Sequence, residues 1–257
     1  MRGYNIHANG IRQHLIHYAG PGPQLLLIPG ITSPAITWGF VAERLAARFD
    51  VHVLDVRGRG LSEAGDLDYS LDAMAEDALA VAATLDRPYV LGHSMGARTA
   101  IRAARKDAEA FAGLLLVDPP VSGPGRRPYP SAWPWYGDSI RLAQKGITFE
   151  EMRAFCPTWT DEQVRLRAEW LHTCQYTAIK TAFDGFHTDD IHADLPHLTL
   201  PMRLVVAGAA PVIGEADIAE IRNLAAGIEI RTVEGAGHMI PWDDLDGFLA
   251  AVIDFTA

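Results

Sequence analysis

Cysteine is scarce, basic residues are outnumbered, and long apolar runs are missing. Cys156 and Cys174 are the two cysteines in 257 residues. One pair cannot supply a disulfide framework for so long a chain, and neither has the companion ligands that a thiolate metal site needs. Both read as reduced, buried thiols, which suits a cytoplasmic protein. Lys and Arg number 22 against 32 Asp and Glu, a formal net charge of −10. That balance argues against nucleic acid, which wants a basic face. It also means that a small anionic ligand must be met by locally placed arginines. No stretch is long and apolar enough to span a bilayer, so no membrane is expected. The opening residues MRGYNIHANGIRQH contain no apolar segment of the kind a signal peptide requires. Internal repeats and low-complexity tracts are likewise absent. Nothing in the pattern indicates an oligomeric state.

What is present suits a globular protein with a large core: 49% of the residues are hydrophobic and 21% charged. Two alternating segments flank Asn9-Gly10, the dipeptide best suited to a type I′ turn, so a β-hairpin is expected at the start. Apolar strand-like runs follow at QLLLI (24–28), VHVL (51–54), YVL (89–91), LLLV (114–117), RLVVA (203–207) and IEIRTV (228–233). Most lead into amphipathic helical patterns, at 40–48, 71–85, 96–104, 216–225 and 244–255. Continuous apolar strands alternating with helices indicate a mostly parallel sheet covered on both faces, an α/β fold. One segment breaks the alternation. Residues 119–134 are dense in Pro and Gly and read as loop. Helical patterns follow with no strand between them, TFEE (148–151) and TDEQ (160–163) both fitting a capping box and apolar positions continuing through Val164, Ala168 and Leu171 to about Phe183. The division expected is a core of residues 1–118 and 199–257, with 119–198 inserted as a helical cap before the last strands.

VLGHSMGAR (90–98) carries the sharpest chemical signal. It sets Gly92-His93-Ser94-Met95-Gly96 between a short strand and a helix, the context that makes G-x-S-x-G a nucleophile elbow. Ser94 is the candidate nucleophile. A serine hydroxyl needs a base to take its proton. Of ten histidines, His238 lies in a Gly-rich turn after the last strand, at the carboxyl edge of the sheet where open α/β folds bind ligands. The base in turn needs an acid to orient it. LLLVDPP (114–120) ends a buried run on Asp118, an ionisable group that is costly to bury unpaired. Its strand-end position and the order Ser94, Asp118, His238 make it the candidate acid. Glu215 and Asp217 remain alternatives, although they also suit the first turn of a helix. For an oxyanion, the expected donors are the backbone N–H of Met95, just after the serine, and of Ile31 in the loop after the first core strand.

With these residues in place, the sequence resembles the α/β-hydrolase superfamily over almost its whole length. DVRGRGLS (55–62) matches that superfamily's loop after the second parallel strand. In many members the acid follows the strand before the histidine loop, in a G-x-x-D pattern. The corresponding stretch is Gly208-Ala209-Ala210-Pro211, and proline cannot serve, which favours Asp118. At a finer level GITSPAITWGFVAERL (30–45), LVDPPVSGPGRR (116–127), RAEWLHTC (167–174) and AGHMIPWDDLDGF (236–248) resemble a deformylase subfamily that acts on linear amides. That resemblance implies a serine hydrolase cleaving a formamide C–N bond in a small anionic substrate, with neither a metal nor an organic cofactor. Arg98, one helical turn beyond Ser94, and Arg127 beside Arg126 are the candidates to bind the substrate's carboxylate, with Trp133 and Trp135 as possible walls. Rival readings are a related acetamido hydrolase, a C–C hydrolase, an esterase or perhydrolase, and a non-catalytic ligand-binding module on the same scaffold.

Overall fold

The computed structural model describes residues 1–210 and 212–256. The hairpin forms as expected. β1 (Arg2–Ala8) and β2 (Ile11–Tyr18) pair antiparallel with Ala8 opposite Ile11. Asn9 and Gly10 turn the chain with φ of 52° and 75°, the positive values a type I′ turn demands at both central residues. The remaining strands are β3 (Gln24–Ile28), β4 (Asp50–Leu54), β5 (Tyr89–His93), β6 (Gly113–Val117), β7 (Met202–Ala207) and β8 (Glu229–Val233). Among the described residues they form one eight-stranded sheet of order β1-β2-β4-β3-β5-β6-β7-β8. From β4 to β8 every pairing is parallel, and β2 joins β4 antiparallel.

Strand alternation sorts the core onto the two faces. Leu26, Ile28, Leu114 and Leu116 point to one, with the helices α2 (Leu71–Ala82) and α3 (Met95–Lys106); Leu25, Leu27, Leu115 and Val117 point to the other. The central strands are apolar throughout because both faces are covered, whereas the edge strand β8 is partly exposed and mixes Glu229, Arg231 and Thr232 with its apolar residues. Each fully buried Leu contributes about 1.5–3 kcal/mol, an upper figure because the unfolded chain already buries some of its surface.

The helices are α1 (Gly39–Leu45), α2 and α3, then α4 (Trp133–Ala143), α5 (Phe149–Phe155), α6 (Asp161–Trp170), α7 (Tyr176–Thr188), α8 (Glu215–Leu224), α9 (Ile240–Asp243) and α10 (Leu245–Val252). Four of them, α4 to α7, lie between β6 and β7 in sequence. Both capping boxes are present, Thr148 with Glu151 and Thr160 with Gln163. Two differences from the sequence pattern have clear causes. The Pro/Gly-rich stretch ends earlier than expected, because Pro134 sits in the first turn of α4, where its missing N–H costs nothing. The apolar spacing that runs from Val164 to Phe183 is broken by a 3-10 turn at Leu171–Thr173, separating α6 from α7.

Candidate active site

Ser94 stands at the joint between β5 and α3. Its φ is 54° and its ψ −116°, a conformation that costs an L-residue about 1–3 kcal/mol. The fold holds it there by close packing. A Cβ on Gly96 would lie 2.0 Å from the carbonyl oxygen of Ile28, and one on Gly92 would lie 2.4 Å from the carbonyl oxygen of Gly96. The elbow therefore needs glycine at both positions. Ser94 N–H donates to Val117 O at 2.8 Å, tying the turn to the neighbouring strand.

Asp118, the residue after β6, is also at positive φ, 44°, and is fully buried. Its backbone N–H donates to Val205 O at 2.9 Å, and Oδ1 accepts from Ala207 N–H at 3.3 Å, so β7 fixes the carboxylate. Oδ2 lies 2.6 Å from Nδ1 of His238. The other ring nitrogen, Nε2, lies 3.0 Å from Ser94 Oγ. His238 is carried by the turn between β8 and α9. With Nδ1–H donating to Asp118, Nε2 is left as the acceptor facing the serine hydroxyl. The structure thus brings together Ser94, His238 and Asp118 in one hydrogen-bonded line. It does not bring Glu215 or Asp217 to the histidine. Both occupy the first turn of α8, where Asp217 Oδ2 accepts from Gly214 N–H at 2.8 Å and pairs with Arg127 at 2.5 Å. Pro211 lies outside the described residues.

Beside Ser94 lies a cavity of about 400 Å³. Its floor is Gly30, Ile31, His93, Ser94 and His238, and its walls include Trp135, Tyr136, Phe155, Trp159 and Arg167 from the segment between β6 and β7. Met95 opens α3, so its N–H has no acceptor within the helix. Ile31 belongs to the loop after β3. A single buried side chain touches both residues: Arg59 Nε donates to Ile31 O at 3.1 Å, and Nη2 to Met95 Sδ at 3.4 Å. Arg59 comes from DVRGRGLS, and burial pushes it down to about 10. Arg57 of the same motif pairs with Asp77 at 2.5 Å.

Both arginines expected at a carboxylate are engaged elsewhere. Arg98 is buried and donates to the backbone carbonyls of Pro120, Ser122, Gly185 and Asp189, clamping α3 to the inserted segment. Arg127 bonds Val212 O at 2.6 Å as well as Asp217. Neither lines the cavity, and Arg126 pairs with Glu220 at 2.7 Å. Trp133 packs on Tyr176 and Phe183, leaving Trp135 as the wall of the two.

Two lining residues escaped the sequence reading. His93 is buried, and its Nε2–H donates to the carbonyl of His238 at 3.0 Å while Nδ1 has no partner. Burial, assisted by the nearby His238, pushes it down to about 3, so His93 is neutral and supports the histidine turn. Arg167 is 3% exposed. It donates through Nη1 to Thr32 O at 3.2 Å and through Nη2 to Thr32 Oγ1 at 3.1 Å. Position in the G-x-S-x-G motif could have flagged His93. Only Arg167's place in the RAEWLHTC segment hinted at a special role.

Among the described residues, His17, Asp50 and His52 form a group whose possible metal-binding atoms lie within 4.8 Å of one another. They pair among themselves, His17 Nε2 with Asp50 Oδ1 at 2.6 Å. Asp50 opens β4, so the group lies toward the sheet edge opposite Ser94.

A model of the alpha/beta hydrolase family matches residues 25–251. The chain belongs to that family. This α/β hydrolase is 62% identical over 256 residues to N-formylmaleamate deformylase of Pseudomonas putida, covering 98% of this chain and 96% of that one. The crystal structure of N-formylmaleamic acid deformylase from Pseudomonas putida S16, solved as its S94A variant, matches with a TM-score of 0.97 and 72% identity. That match covers 98% of this chain and 100% of the other. A 2-(acetamidomethylene)succinate hydrolase of Mesorhizobium japonicum is more distant, 24% identical over 92% of this chain and 88% of its own. Among the described residues, no helix of this hydrolase is long and apolar enough to cross a membrane.

Proposed function

We propose that this hydrolase cleaves the formamide C–N bond of N-formylmaleamate, yielding formate and maleamate. The observation that carries the reading is the line from Asp118 through His238 to Ser94, 2.6 and 3.0 Å, opening onto the aromatic cavity. The identity of the substrate is supported by the deformylase relatives at 62% and 72% identity.

Ser94 Oγ attacks the formyl carbon while His238 Nε2 takes the hydroxyl proton. Asp118, acceptor-only and held by the Ala207 N–H, keeps the imidazole in the tautomer that leaves Nε2 free and stabilises the cation that forms. The tetrahedral oxyanion is met by the N–H groups of Ile31 and Met95, whose placement Arg59 supports. As the C–N bond breaks, His238 returns its proton to the nitrogen, and maleamate leaves. That nitrogen is imide-like, flanked by two carbonyls, so it departs more readily than an ordinary amide. A water then attacks formyl-Ser94 with His238 again as base, and formate and the free serine result. No step calls for a cofactor. Residues 119–198 serve as a cap whose aromatic side chains roof the site, and the reaction belongs in the cytoplasm, a reading supported by the free, buried Cys156 and Cys174.

The test is a product assay on a panel of N-formyl and N-acetyl monoamides of dicarboxylic acids, with a neutral ester beside them. N-formylmaleamate should turn over fastest, with formate and maleamate in equal amounts. Faster acetate release would replace the reading by an acetamido hydrolase. A neutral ester beating both would remove the deformylase assignment.

A further inference from the structure

Arg167 is a buried cation in the wall of a cavity, and among the described residues no carboxylate pairs with it. A charge taken out of water without a counter-charge costs several kcal/mol unless something replaces its hydration. Here the replacement is partial. The two bonds to Thr32 use two of the five guanidinium N–H donors, and Nε is fully buried without a partner. The rings of Trp135 and Trp159 each lie 5.5 Å from its central carbon, giving the cation two π faces but no acceptor for the remaining donors. The buried arginines nearby have fuller sets of acceptors: Arg98 meets four backbone carbonyls, Arg59 the carbonyls of Ile31, Arg57 and Ala178, and Arg57 the carboxylate of Asp77.

The guanidinium is placed rather than merely tolerated. The Thr160–Gln163 capping box starts α6, and Arg167 shares the buried face of that helix with Val164, three residues earlier. Thr32, which it grips, adjoins Ile31 on the cavity floor. Arg167 is thus fixed against the same loop that faces the acyl centre.

We propose that Arg167, oriented by Thr32 and held between Trp135 and Trp159, is the carboxylate subsite of this enzyme and sets its preference for anionic amides. The inference deepens the functional reading above and rests on it for the carboxylate. In maleamate the Z double bond folds the carboxylate back toward the amide, so anion and reacting amide lie close together, as do Arg167 and the Ile31–Thr32 loop. The planar fork of an arginine can meet a carboxylate with two parallel bonds, which a lysine cannot. The guanidinium is delocalised and weakly hydrated, so it tolerates a dry, aromatic site in the absence of substrate.

The experiment measures inhibition of a neutral reaction, hydrolysis of 4-nitrophenyl acetate, by maleamate and by acrylamide, which differs by lacking the carboxylate. Wild-type enzyme should bind the anion tighter on the order of 100-fold, the scale of a charge-assisted bidentate contact. Arg167→Met should bring that ratio to within a few-fold of one. Any general weakening of the site affects both inhibitors and cancels in the ratio. Arg167→Lys, which keeps stem and charge and guards against a Met variant that does not fold, should lose on the order of 10-fold of the ratio through loss of the fork. A wild-type enzyme with no anion preference, or a preference unchanged in either variant, overturns the proposal. Because the reporter reaction is neutral, failure of N-formylmaleamate to release formate would remove the substrate reading and still leave the ratio to judge Arg167.

Discussion

The floor and the roof of the cavity treat their polar atoms differently. On the floor, Ser94, His238 and Asp118 satisfy one another in a line, and His93 bonds the carbonyl of His238. On the roof, Arg167 keeps a buried Nε with no partner and faces aromatic rings. The catalytic line on the floor is paired before any ligand arrives, as preorganised chemistry requires, although Nδ1 of the adjoining His93 is not. The roof cation lines the cavity with N–H donors that no protein acceptor takes, and the carboxylate proposed above would meet it there. Substitutions on the floor should therefore act mainly on kcat, and substitutions on the roof mainly on KM.

The largest effect belongs to the floor. Ser94→Ala should lower kcat for formate release by about 10⁶-fold, as loss of a nucleophile does in a comparable hydrolase. Substrate binding, followed by calorimetry, should change little, since the roof is intact. A variant with more than a few per cent of wild-type kcat would break the division at its strongest point.

The next is a stability effect of the same floor. His93 sits near 3 in the folded protein and at 6.5 when unfolded. Between those values the unfolded chain binds the extra proton, so stability is full above 6.5 and falls as pH drops toward 3. At pH 5 the cost is about 2 kcal/mol. Urea midpoints at pH 7 and pH 5 should show this loss in the wild type and a smaller one in His93→Asn. Equal losses would mean that His93 is not buried as a neutral group.

The smallest lies on the roof. Trp159→Ala removes one of the two rings on Arg167, a contact worth about 0.5–2 kcal/mol. KM for an anionic amide should rise several-fold with kcat nearly unchanged. A fall in kcat with unchanged KM would erase the contrast between the two halves of the cavity.

The same contrast explains what could be read in advance. The strands at 24–28, 113–117 and 202–207 announce themselves because burial on both faces leaves only apolar residues there. Ser94, Asp118 and His238 stand at strand ends, positions that a pattern of strands and helices defines. The first turn of α4 was hidden because a proline there reads as a breaker, although it fits a helix start. Arg98 was placed by helical spacing from Ser94, but spacing along α3 does not say that the inserted segment will offer it four carbonyls. Arg167 is the opposite case. Its helix, DEQVRLRAEW, mixes charges along its length, and what sets this arginine apart is contact with residues distant in sequence, Thr32 135 positions away and the ring of Trp135.

The claim tested most directly is that the buried acid after β6, rather than the acids after β7, orients His238. The measurement is kcat for Asp118→Asn beside Glu215→Gln and Asp217→Asn, each shown folded by circular dichroism. Asp118→Asn should keep the shape of the site but offer His238 the wrong tautomer, lowering kcat on the order of 10⁴-fold as in the serine-protease triad. Glu215→Gln and Asp217→Asn should stay close to wild-type kcat and lose at most about 1 kcal/mol of stability as helix-start acids. An active Asp118→Asn together with an inactive Glu215→Gln or Asp217→Asn would contradict the account.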